Sequence, residues 1–160
     1  MAEGFWQRRV VAPIVAQLRQ GITPEKIALT LALGGVLGLF PIIGATTLLC
    51  ALAAWWLRLN QPVIQLVNYL LYPLHLLLLL PFYRAGETLF RQPHVPIFSV
   101  ADLAHRFQAG PLQFLVDYGM VGLYGVVVWA LLAPPTAALL YLVLRPSLKA
   151  LSARMPVRGD

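Results

Sequence analysis

The chain has 160 residues, 59% of them hydrophobic and only 11% charged, with a net charge of +6 and a mean hydropathy of +0.75. A soluble domain carries about 25% charged residues, so this composition excludes an ordinary soluble enzyme and places the chain in the membrane class. Nor does the basic balance indicate nucleic acid: Arg and Lys cluster at the ends of apolar segments, where membrane proteins hold them on the cytoplasmic side. No charge falls within 27–57, 59–83 or 118–144. Each run exceeds the roughly 20 apolar residues that span a hydrocarbon core.

The opening "MAEGFWQRRVVAPIVAQLRQG" does not read as a cleavable signal peptide. Its charges follow Trp6, Pro13 breaks its apolar run, and no small-residue cleavage site follows. Residues 4–20 instead predict an interfacial amphipathic helix. Phe5, Trp6, Val10, Ile14 and Leu18 share one face, while Arg8, Arg9, Gln17 and Arg19 are polar. Gly21 ends that helix, Thr23 caps the next, Pro24 suits its first position, and Glu25 adds an acid to its first turn.

The run 27–57 would be about 46 Å long as one helix, against a core of about 30 Å. Gly35, Gly38, Pro41 and Gly44 interrupt it, at a cost of about 1 kcal/mol per glycine and about 3 for the proline in a helix interior. Gly34 and Gly38, in G-x-x-x-G spacing, let a neighbouring helix approach. Packing alone does not need the proline, so Gly38, Pro41 and Gly44 read as a deliberate helix break. Two arms of about 13 residues, each roughly 20 Å, are too short to cross. They predict a re-entrant hairpin over 24–58, entering and leaving by one face, with Trp55 and Trp56 at the interface beside Arg58. Free amides at the start of the second arm, next to Thr46 and Thr47, would favour an anion, as in transporters with broken helices. Cys50 is the single cysteine, with no disulfide partner in the chain and no metal-ligand spacing.

The run 59–83 predicts a transmembrane helix. Gln61, Gln65, Asn68, Tyr72 and His75 are spaced to lie on one face of it. That stripe either lines a water-filled path, together with Thr46 and Thr47, or forms a polar seam between subunits. His75 reads as a hydrogen-bonding group before a proton carrier. Pro73 kinks the helix and frees a carbonyl that needs a partner in lipid. Residues 84–117 form a polar connector. Within it Ser99 and Asp102 make a capping box for a short surface helix, with Val100, Leu103, Ala104 and Phe107 on one side, stopped by Gly110–Pro111. A second transmembrane helix follows over 118–144, carrying Gly119, Gly122 and Gly125 at helical spacing and then Pro134–Pro135. Residues 145–160 are a basic tail.

These elements predict one all-α integral membrane domain over 1–160: an interfacial helix, a Gly/Pro-broken hairpin, two transmembrane helices and an amphipathic surface helix. Charge bias favours a multi-pass membrane protein with both termini cytoplasmic. Two plain spans with a re-entrant third segment broken at Pro134–Pro135 would satisfy the same bias. No acidic residue lies in an apolar run, so the carboxylate of proton- or sodium-driven carriers is missing. No Ser–His–Asp set, carboxylate pair, metal cluster or phosphate loop occurs. Cys50 with His75 lacks the third group that orients a nucleophile and base. The sequence therefore predicts neither an enzyme nor a metal or cofactor.

The stretch "TPEKIALTLALGGVLGLFPIIGATTLLCALAAWWLRLNQPV" resembles the bacterial family known as domain of unknown function 2062. That family reads Ser-Pro-x-x-Ile-Ala, a glycine-rich apolar run, Pro-x-x-Gly, a second apolar run, then Arg-x-Asn. The motif falls here on Pro24, Pro41, Gly44, Arg58 and Asn60. The likeness covers roughly residues 15–90, with weaker support to 145. Tyr72 and His75 depart from the Asn-Pro-x-Thr that the family often has there. The resemblance implies a small bacterial inner-membrane protein, in some members a membrane module joined to glycosyltransferase-like or methyltransferase-like domains, with no activity attached to it. The expected function is a small transporter or flippase-like carrier of an amphiphilic or anionic, lipid-linked solute. The alternative is a non-catalytic scaffold or anchor for cell-envelope enzymes. Its partners would be the lipid bilayer, further copies of itself in a homo-oligomer, and an envelope-biosynthesis enzyme, with no nucleic acid. On the transporter reading, Leu at Gln65 and Asn68 abolishes transport and leaves assembly intact.

Overall fold

The structure, a computed structural model, describes residues 4, 8, 11–19, 22–95 and 99–154. Among these residues it forms seven helices and no strand. The N-terminal helix expected over 4–20 is described only as α1 (Ala12–Arg19). Phe5, Trp6 and Val10, and the end of the basic tail at 155–160, lie outside the described residues.

The next helices begin and end where local chemistry dictates. Thr23 caps α2 (Pro24–Leu37) by accepting from the Lys26 N–H at 3.3 Å, and Pro24 holds the first turn. The chain leaves the helix at Gly38 and resumes at α3 (Ala45–Trp56) through Gly44, whose φ of 87° is open to glycine and costly for other residues. After α3, Asn60 starts α4 (Gln61–Leu70) by accepting from the Val63 N–H at 3.0 Å.

The helix expected over 59–83 is two helices, α4 and α5 (Tyr72–Leu89), bent by 62° at Leu71. Pro73 is the cause: it has no N–H for the Tyr69 carbonyl, its ring clashes there, and it disfavours helical backbone at Tyr72. α5 then runs through Pro81 and past the expected end at Tyr83. Its second half is clamped on the last helix, where a Cβ built at Gly86 would stand 2.5 Å from the Tyr124 carbonyl carbon, and one at Gly125 would stand 2.7 Å from the Tyr83 ring. In its last turns, the buried Glu87 carboxylate accepts from Arg84 Nη1 and, from the segment that follows the helix, from the Val95 N–H, both at 2.9 Å. Ser99 caps α6 (Val100–Ala109) through the Asp102 N–H at 3.0 Å, as the sequence implies.

The last helix, α7 (Pro111–Ala153), is longer than the expected 118–144. It passes through Pro134–Pro135 and takes in most of what reads as a tail. Each proline removes a backbone bond and crowds the carbonyl four residues back, so the continuity of the helix rests on what holds its flanks. The flanks are held on α2, by Trp129 on one side and by Leu148 against Ile27 and Ala28 on the other. Lys149 Nζ reaches Glu25 at 2.8 Å, so α2 starts beside the C-terminal end of α7 and runs antiparallel to it. The Lys149 hydrogen bond holds the Glu25 carboxyl below its usual pKa. One cluster joins α2, α3 and α4 around Cys50, Ala54 and Ile64. A further one joins α5, α6 and α7 around Leu103 and Val121. Among the described residues, α7 alone is long and apolar enough to cross a membrane, and the bent α4–α5 pair adds a second span if counted as one.

Gly86→Ala should part α5 from α7 and cost about 1–3 kcal/mol through overpacking. Gly122 has nothing within 4 Å of a built Cβ, so Gly122→Ala should be neutral or stabilise by up to about 1 kcal/mol. Thermal unfolding of the purified protein in detergent separates the two.

Candidate functional site

The break at 38–44 is irregular backbone inside an apolar molecule, so each of its polar groups needs a partner. Some are local. The Ile42 N–H donates to the Phe40 carbonyl at 2.8 Å across Pro41, an inverse γ-turn that suits the proline φ. Ala45 N–H closes the loop on the Ile42 carbonyl at 3.3 Å. The Leu39 and Phe40 N–H groups donate back to the Val36 and Leu37 carbonyls, both at 3.2 Å, and other helices add further contacts. Tyr83 Oη on α5 donates to the Pro41 carbonyl at 2.8 Å. Trp129 Nε1 on α7 donates to the Val36 carbonyl at 3.0 Å, and its ring meets Phe40 edge to face with centroids 4.9 Å apart. On α4, Asn68 abuts Gly38, where a Cβ would stand 3.3 Å from the Asn68 Cα. Pro41 is fully buried beneath this cover, while Ile42, Ile43 and Gly44, the second half of the loop, are exposed.

The stripe over the second run is divided by the bend. Gln61, Gln65 and Asn68 remain on α4, and all three turn to α3. Gln61 Nε2 donates to the Ala51 carbonyl at 2.8 Å and Gln65 Nε2 to the Thr47 carbonyl at 3.0 Å. Asn68 Nδ2 reaches Thr47 Oγ1 at 3.2 Å and Gln65 Oε1 at 3.4 Å. These amides stitch two helices of one chain, a third use beside the path and the subunit seam that the spacing suggests. Thr46 is buried in the same region. Tyr72 and His75, beyond the bend, separate from the others. The Tyr72 side chain is exposed, and His75 is 1% exposed. The His75 imidazole sits at the Phe40 backbone, yet neither ring nitrogen makes a hydrogen bond of good geometry.

Sequence reasoning singles out the break and His75 but not Tyr83 or Trp129, which seal the break. Both are aromatic residues in or at the end of charge-free runs. Nothing in their spacing marks them.

The fold and the site define an all-helical protein of short, capped apolar helices, broken at a sealed loop and packed on one helix of membrane-spanning length. The chain belongs to an uncharacterised protein family conserved in bacteria, DUF2062, whose model matches residues 8–155. No curated protein and no solved structure matches the chain. The five motif positions are all devices of helix termini. Pro24 and Asn60 start helices, Pro41 turns the loop and Gly44 supplies the left-handed residue before α3. Exposed Arg58 holds a left-handed φ of 52° between α3 and α4.

Trp129→Phe keeps the ring contact and removes the donor to Val36, and Tyr83→Phe removes the donor to Pro41. Tyr83→Phe leaves the Pro41 carbonyl without that donor and should cost about 1–3 kcal/mol, whereas Trp129→Phe should cost about 0.5–1.5 kcal/mol because Val36 still accepts from the Leu39 N–H. Denaturant titration in detergent measures the loss, and no change for either variant would mean that its donor does not seal the loop.

Proposed function

We propose that the protein is an integral protein of the bacterial inner membrane that moves an amphiphilic, anionic solute, such as a lipid-linked one, past the break at 38–44. The large apolar side chains exposed along α7, among them Leu131, Leu139 and Leu142, support burial in lipid. Trp129 ties the break to a point near the middle of the charge-free run 118–144. If that run spans the bilayer, the break lies at mid-depth. α2 and α3 have 14 and 12 residues, about 21 and 18 Å, short of a core of about 30 Å. That supports a re-entrant hairpin entered from the basic end, where Lys26, Arg145 and Lys149 gather, with both termini cytoplasmic. The bent α4–α5 pair would supply the second crossing. So thin a bundle works as a homo-oligomer on this reading.

The observation that carries transport is His75. Buried polar groups are nearly always hydrogen-bonded, and an ionisable residue at membrane depth is by default a candidate functional site. His75 is buried against the Phe40 backbone with neither ring nitrogen in a hydrogen bond of good geometry, which supports a use beyond packing. A second reading, a scaffold for an envelope-biosynthesis enzyme, is favoured by a different observation. The amides of Gln61, Gln65 and Asn68 are engaged on α3 and leave no polar stripe for a solute.

Two measurements test the proposal. Reconstituted in vesicles with fluorescent phosphatidylglycerol, the protein should expose inner-leaflet label to dithionite, and His75→Leu should abolish that while the protein still folds. Wild-type protein that moves no label, yet keeps a stoichiometric partner on mild extraction, would hand the case to the scaffold. In a Cys50→Ala background, a cysteine at the exposed Arg58 should react with an impermeant maleimide only from the cytoplasmic side. Labelling from outside would make 27–57 a span.

A further inference from the structure

A cleft of about 300 Å³ opens in the elbow between α6 and the start of α7, the lower end of the ligand-sized range. Its walls carry opposite charges and aromatic rings. Arg106 comes from α6, and Gln113, Phe114, Asp117 and Tyr118 come from α7. Arg106 Nε donates to Asp102 at 2.9 Å, which leaves its terminal nitrogens for another acceptor. Gln113 Nε2 donates to Asp117 Oδ1 at 2.9 Å, which leaves the second carboxylate oxygen for another donor. Phe114 and Tyr118 stack with centroids 4.9 Å apart, and Phe107 meets Phe114 edge to face. A smaller void of about 40 Å³ shares the Phe114 and Tyr118 rings and is lined further by Tyr83, Leu103, Val121 and Gly122. The cleft thus sets charged groups beside aromatic rings.

We propose that this elbow binds a zwitterionic aminophospholipid, with the phosphate on Arg106, the ammonium on Asp117 against the aromatic wall, and an acyl chain along α7 past Gly122. Arginine suits phosphate, and a cation over an aromatic face is attracted by its quadrupole. The charge balance selects the headgroup: the cleft is lined by one cation, Arg106, already paired with Asp102, and by one carboxylate, Asp117, so a zwitterion meets complementary charge where a purely anionic headgroup meets Asp117. Position supports a bilayer source. Asp117 and Tyr118 stand where the charge-free run 118–144 begins, at the opposite end of α7 from Arg145 and Lys149. That end meets the headgroup layer facing away from the basic terminus. On the membrane side of the cleft, Met120 and Leu123 are exposed on the same helix, an apolar surface that an acyl chain would cover. The inference rests on α7 crossing a bilayer and not on transport.

Native mass spectrometry of the detergent-purified full chain with equimolar phosphatidylethanolamine and phosphatidylglycerol tests it. The ethanolamine lipid should be retained about two- to fivefold more, the range for partly exposed charge pairs. Asp117→Asn should bring the two lipids to parity, and Leu139→Ala, on the far part of α7, should leave the preference unchanged. The wild-type comparison needs no variant, so it stands if Asp117→Asn fails to fold. Equal or greater retention of phosphatidylglycerol by the wild type would overturn the assignment, and so would an unaltered preference in Asp117→Asn. Competition by soluble glycerophosphoethanolamine at the lipid's own concentration would overturn the bilayer source, whereas its failure to compete supports it.

Discussion

The structure depends on one constraint: seven residues of irregular backbone, from Gly38 to Gly44, lie among apolar helices and must not leave their polar groups unpaired. Large aromatic donors from other helices serve this need, Tyr83 on the Pro41 carbonyl inside the break and Trp129 on the Val36 carbonyl at the end of α2 just before it. An aromatic donor suits the place, because its ring fills apolar space while its polar tip reaches a carbonyl. Asn68 closes a third side. The break thus fixes how α4, α5 and α7 approach α2, and the crossing of α5 over α7 at Gly86 and Gly125 follows on the same helices.

The polar residues of α4 obey the same economy of hydrogen bonds in a different way. Gln61, Gln65 and Asn68 reach across to α3, two of them to backbone carbonyls that also sit in the helix, so a row of amides becomes part of the packing between short helices. His75 is the exception. It is buried at the break and makes no hydrogen bond of good geometry. That contrast separates a residue placed for stability from one that stability does not explain.

The family motif takes on physical meaning in this frame. Its prolines, glycine, asparagine and arginine mark where helices start, stop and turn left-handed. A sequence that keeps these devices keeps the series of short helices, whatever the apolar residues between them. This accounts for a motif that contains no obvious chemistry.

Much of the helix pattern was legible in the sequence because caps and breaks act over one to four residues. Thr23, Asn60 and Ser99 cap helices, Gly44 is left-handed, and Pro41 stands in a loop, all as local rules require. Where the reading needed a helix to stay straight, it failed. The five-residue stripe assumed one helix through Leu71, and the bend set by Pro73 turned Tyr72 and His75 away from Gln61, Gln65 and Asn68. The tail read as basic coil because its charges were counted without the helix that carries them. What the sequence alone determined was an apolar, all-helical chain punctuated at stated residues, since those effects are local. The tertiary structure decided which groups seal the break and that His75 lies beside it. Tyr83 meets Pro41 across 42 positions and Trp129 meets Val36 across 93. Contacts so remote depend on the angles at which helices cross, and no local pattern encodes them.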